Sequence, residues 1–100
     1  MITQVFQRGD TVPIWCEVRN SAGTLIDPSN GVTLIYLKNP SGTIKAENKS
    51  MTKSEPGKYV YYYNSASDDE TGWWIYQVKS QDGTGDSAKY SVSEGGFELK

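Results

Sequence analysis

Apolar and polar residues alternate with a period of two along most of this chain, and no stretch shows a helical period. The clearest pair of runs lies between Gly57 and Ser80: GKYVYYYN, a polar and acidic connection, then GWWIYQVKS. Each reads as a half-buried β-strand. In the second run Trp74, Tyr76 and Val78 share one face, and Trp73, Ile75, Gln77 and Lys79 share the other. Aromatic rings are the largest apolar groups available, so the face holding Trp74 and Tyr76 is expected to be the core. In the first run Tyr59, Tyr61 and Tyr63 alternate with Val60 and Tyr62.

The same pattern predicts the remaining strands. Residues 1–7 form a first strand anchored by Ile2 and Phe6, and Arg8-Gly9-Asp10 is a turn. Residues 11–20 form a second, with Val12, Ile14, Cys16 and Val18 inward and Trp15 outward. Pro13 must sit near that strand's start or where no neighbour needs its N–H. A loop continues to residue 31. Residues 31–38 then read as a strand with two apolar faces, Val32, Leu34 and Tyr36 against Thr33, Ile35 and Leu37. Such a strand is covered twice or central.

Asn39-Pro40-Ser41-Gly42 and Glu55-Pro56-Gly57 are turn signals around two weak strands at 43–47 and 48–54. A last strand over 87–92 resumes through Gly95-Gly96 as Phe97-Glu98-Leu99, which predicts a bulged edge. The expected fold is all-β: a two-sheet sandwich of about seven antiparallel strands, in one domain over residues 1–100.

Charge and composition narrow the function. The net charge is −2, so no cationic excess exists to neutralise a nucleic-acid backbone. No apolar run approaches the roughly 20 residues of a membrane span. The first residues lack a signal peptide, which points to synthesis and retention in the cytoplasm or assembly there into something larger, a virion included. The chain has no histidine, removing the commonest general base and metal ligand. Its single cysteine, Cys16, reads as a small buried hydrophobe.

Asp68, Asp69, Asp82 and Asp86 could supply oxygens to calcium, but their spacing matches no EF-hand loop and turn geometry accounts for them. No cofactor is called for, and no constellation of catalytic residues is visible. A non-enzymatic role is expected.

Several local features resemble the bacterial and phage immunoglobulin-like modules and the related macroglobulin-type domains. They are Phe6-x-x-Gly9-Asp10-x-Val12-x-Ile14, Asn39-Pro40-Ser41-Gly42, Pro56-Gly57-x-Tyr59 and Gly72-x-Trp74-x-Tyr76-x-Val78. The ordered set spans most of the chain and is similar to that of small virion-associated modules of bacteriophages.

The resemblance implies that Tyr59, Trp74, Tyr76 and Val78 lie between the sheets. It also makes Glu70-x-Gly72-x-Trp74 a variant tyrosine corner in which an indole N–H must replace the phenol. It places the 31–38 strand beside the tryptophan strand. Their outer faces then carry Ile35, Leu37, Trp73 and Ile75 together, or Leu34 and Tyr36 in the other phase.

A patch of that kind marks an interface. The expected partner is another structural protein or a second copy, docked on Ile35, Leu37, Trp73 and Ile75 with Trp15 as a further anchor. The rival is a carbohydrate-binding module in which Trp15, Tyr62 and Trp73 stack on sugars while Asn64 and Asp68 bind hydroxyls. A third reading is an accessory domain of an enzyme.

Overall fold

The computed structural model describes residues 4–100. Eight strands form two sheets: β1 (Val5–Phe6), β2 (Thr11–Glu17), β3 (Val32–Lys38), β4 (Ile44–Ser50), β5 (Thr52–Glu55), β6 (Lys58–Asn64), β7 (Gly72–Asp82) and β8 (Lys89–Leu99). The larger sheet has the order β1-β8-β7-β3-β4 and the smaller β2-β6-β5. Strand pairs are antiparallel except β1 with β8, which run parallel. The expected first strand is thus shorter than residues 1–7, and its anchor Ile2 lies outside the described residues.

Apart from Leu37, the core is where the alternation places it. Val12, Ile14, Leu34, Trp74, Val78, Phe97 and Leu99 are buried between the sheets with Tyr59, and Cys16, Tyr61, Tyr63 and Tyr76 pack against them. The Trp74 ring stacks on Phe97 at 5.7 Å and lies 5.6 Å from the tilted ring of Tyr63. Its indole N–H donates to the Glu70 carbonyl at 2.9 Å. That bond satisfies the carbonyl ahead of β7.

β2 stops at Glu17 rather than at residue 20. Beyond it the Val18 amide donates to the Gly57 carbonyl, and the Asn20 side chain accepts from the Ala22 and Thr24 amides to close a turn. Pro13 is tolerated because β2 is an edge strand. Between β5 and β6, Pro56 followed by Gly57 at φ 74° has the residue pattern of a type II turn. β4 and β5 form as two strands broken at buried Met51, where the chain crosses from one sheet to the other.

Two irregularities depart from expectation. β3 carries a bulge between Leu34 and Tyr36, where Ile35 is an extra residue relative to β7. Asn48, at φ 51°, stands opposite in β4, a conformation that asparagine tolerates. A one-residue insertion reverses the facing of every later residue in the strand. Leu34 and Leu37 consequently both point inward, and both are fully buried.

β8, by contrast, has no bulge and pairs with β7 in continuous register from Gly72↔Leu99 to Asp82↔Lys89. Its two glycines are sites of close approach. A Cβ on Gly95 would lie 2.6 Å from the Tyr76 hydroxyl on one face. A Cβ on Gly96 would lie 2.6 Å from both the Trp73 ring and the Trp74 carbonyl on the other. The rings on β7 occupy the space that the glycines leave.

Two substitutions test this packing. Trp74→Phe keeps most of the ring but strands the Glu70 carbonyl, and is expected to cost about 2–4 kcal/mol in urea unfolding. Gly96→Ala, a change that ordinarily helps a strand, is expected to cost about 1–3 kcal/mol because backbone as well as ring must shift.

Candidate functional site

The residues predicted to dock divide among four places. Trp73 and Ile75 stand on the outer face of the five-stranded sheet, 51% and 38% exposed. Trp74 is held inward, and in a pleated strand its neighbours must point the other way. Leu37 does not join them: the β3 bulge turns it into the core, which corrects its predicted outward position. Ile35 is the bulge residue itself and is half-buried. Trp15 is exposed, but on β2 in the other sheet, so it faces away from Trp73.

The Trp73–Ile75 surface is shaped by its neighbours. Register sets Glu98 opposite Trp73, with Gly96 opposite Ile75 on one side and Lys38 on the other. The Lys38 ammonium lies over the Tyr36 ring at 4.5 Å. Neither weak strand roofs this face, because β4 lies in the plane of the sheet beside β3 and β5 belongs to the other sheet. The result is an apolar pair near the start of the sheet's middle strand, with Lys38 and Glu98 at its border. That is the polar-rimmed arrangement of a small interface core.

A second aromatic pair lies on the outer face of the smaller sheet. Trp15 is directly opposite Val60 and diagonal to Tyr62, which sits opposite Pro13. Val60 is buried on this outward face, whereas Trp15 and Tyr62 are exposed. Asn64 is on the same face, and its Oδ1 already accepts from the Thr11 hydroxyl at 2.7 Å. Of the proposed sugar-binding set, Trp73 is on the opposite sheet and Asp68 lies in the β6–β7 connection.

The acidic residues serve the frame. The buried Asp69 carboxylate accepts from the Tyr63 hydroxyl at 2.9 Å and the Ala66 amide at 2.7 Å, with the Lys45 ammonium 3.5 Å away. Burial works against its charge, but the amide, the hydroxyl and the ammonium outweigh it, leaving its pKa below the usual value. Burial, then the bond to Asp69, pushes the Tyr63 phenol well up.

Asp82 accepts from the Ser29 amide, and Glu70 from the Ser41 hydroxyl. Among the described residues no group of three or more His, Cys, Asp or Glu is placed to hold a metal ion. The Cys16 thiol is pushed up by burial and then by Glu17, so it stays protonated at neutral pH. Among the described residues no helix is long and apolar enough to cross a membrane.

No family model, curated protein or solved structure matches this chain.

Asp69 makes stability depend on pH. A carboxylate with a lowered folded pKa stabilises the fold fully above its unfolded value of about 3.9, and that stability is lost as pH falls through the folded value. Urea unfolding between pH 7 and pH 2.5 should therefore weaken at the acid end. Asp69→Asn should flatten that part of the profile and lower stability at pH 7.

Proposed function

We propose that this chain is a non-enzymatic, immunoglobulin-like binding module that docks onto another structural protein or a second copy through the outer face of its five-stranded sheet. Trp73 and Ile75 are the anchors. The observation that carries the reading is the exposure of these two residues on one face of the sheet's middle strand, with the Trp73 ring seated over Gly96. A tryptophan already held in place loses little freedom on binding, and tryptophan is the residue type most enriched at interface hot spots.

Strand order supports the immunoglobulin-like part. β2, β6 and β5 take the places of strands B, E and D, β3, β7 and β8 those of C, F and G, and β4 that of C′. The resemblance of the turn and strand motifs to phage modules makes a virion-associated component the proposed setting.

A carbohydrate platform is the second reading, favoured by Trp15 and Tyr62 lying together beside Asn64. It is the weaker one. Stacking needs coplanar rings rimmed by unengaged polar groups, and the Asn64 oxygen is already taken by Thr11.

Trp73→Asp is the test, read by light scattering for self-association and by titration against the products of the genes flanking its own. The variant is expected to stay folded, at a cost of about 1–2 kcal/mol because the ring's packing on Gly96 is lost and Asp stands opposite Glu98, and to lose association. Unfolding of Trp73→Asp, or unchanged association, contradicts the assignment. Association lost in Trp15→Ala instead would favour the other face.

A further inference from the structure

β8 walls the core on one face and is paired with β1 at only one end. The Glu98 amide donates to the Gln4 carbonyl and the Lys100 amide to the Phe6 carbonyl, so even-numbered residues of β8 turn their backbone groups toward the β1 side. The Gln81 amide, donating to the Gly31 carbonyl, faces β3 and leaves Ser80 facing β8, opposite Ser91. Both ends of the strand therefore agree on the same alternation, and the β7–β8 register is unbroken between them.

The backbone groups of Tyr90, Val92 and Glu94 consequently point out of the sheet's edge. β1 pairs only with Glu98 and Leu99, so among the described residues no strand pairs with them on that side. Tyr90 and Val92 are 55% and 53% exposed.

The other edges are defended in ways that this one is not. β2 carries Pro13. β4 carries Lys45, Glu47 and Lys49 around the left-handed Asn48. β5 is four residues long with Lys53 and Glu55. Charge, proline and shortness are how sheet edges avoid pairing. The Tyr90-Ser91-Val92-Ser93 segment has none of them within it, and its charges, Lys89 and Glu94, stand only at its two ends.

A cleft adjoins this edge on its inner side. It has a volume of about 400 Å³; Val18, Ile26 and Pro28 line it together with Ser91 and Lys89, and Arg19 and Lys89's cross-strand partner Asp82 are also in its lining. Phe97 and Leu99 point into the core, so strand alternation puts Ser93, Ser91 and Lys89 on that same inner side. A strand added at the β8 edge would direct every second side chain toward the cleft.

We propose that the Tyr90–Glu94 edge takes up an extended peptide segment of a partner protein by strand addition. The segment carries aliphatic side chains on its cleft-facing positions. Main-chain hydrogen bonds would supply affinity and the cleft would supply selection, as in other strand-addition sites. The apolar wall of Val18, Ile26 and Pro28 favours such a segment over a second β8, which would present serines there. Charge fixes the direction: in antiparallel alignment an acidic residue falls opposite Lys89 and a basic one opposite Glu94. This edge is separate from the Trp73–Ile75 surface and does not rest on that surface being used.

The probe is the blocked peptide acetyl-Lys-Val-Thr-Leu-Thr-Glu-amide, titrated into the full chain and followed by backbone amide NMR. Its Val and Leu face the cleft when its Lys stands opposite Glu94. The control, acetyl-Lys-Thr-Val-Thr-Leu-Glu-amide, has the same composition with both aliphatics turned outward.

Saturable shifts and slowed exchange at Tyr90, Val92 and Glu94 are expected with the first peptide, and binding about tenfold weaker with the second. Val92→Pro removes an edge-facing donor and is expected to abolish the response while circular dichroism stays unchanged. Equal binding of both peptides, or shifts confined to the Trp73 face, would overturn the proposal. So would protection of the same three amides by self-association without peptide, which would make a second copy the occupant. If Val92→Pro fails to fold, the comparison of the two peptides decides alone.

Discussion

The hydrogen bond from the Trp74 indole to the Glu70 carbonyl is the constraint on which the arrangement of this molecule turns. A buried indole N–H without a partner costs about 1–3 kcal/mol, so Trp74 can be buried cheaply only in the orientation that reaches that carbonyl. In that orientation its ring stacks on Phe97 and meets Tyr63 from the opposite sheet. One side chain thus sets the phase of β7, joins the two sheets and closes the chain entry to the strand. The Tyr63–Asp69–Ala66 bonds secure the same connection a few residues upstream.

The outward face is a consequence of the inward one. With Trp74 committed to the core, the pleat leaves Trp73 and Ile75 outside, and the glycine at 96 gives the Trp73 ring a surface to lie on. Gly95 does the same for Tyr76 on the inner face. Two adjacent glycines, which in an isolated strand would only weaken it, here let the rings of Trp73 and Tyr76 lie across β8. The strand is thereby kept in register for its full length. That continuity also carries β8 beyond the reach of β1, leaving its Tyr90–Ser93 stretch without a strand partner on that side among the described residues.

Much of this was legible in the chain itself, for a physical reason. Period-two patterning, the Pro56-Gly57 and Asn39–Gly42 turns and the size of the aromatic rings place Trp74, Tyr76 and Val78 inside and Trp73 and Ile75 outside without reference to distant contacts. Leu37 was not legible. Residues 32–37 are apolar on both faces, so nothing local marks Ile35 as the inserted residue; the bulge is decided by pairing with β7 and by Asn48 in β4. Trp15 was legible as outward but not as belonging to the opposite sheet, since alternation fixes a face and not a sheet. Gly95-Gly96 read as a bulge because glycines in strands often are, and only the rings across from them reverse that reading.

The most direct measurement is hydrogen exchange at the three indole N–H groups, observed by NMR on the intact chain. The Trp74 indole is expected to exchange only on global unfolding, while those of Trp73 and Trp15 exchange at rates close to free indole. A protected Trp73 with a freely exchanging Trp74 would mean that β7 is phased the other way, and the surface carrying Trp73 and Ile75 would then be the core.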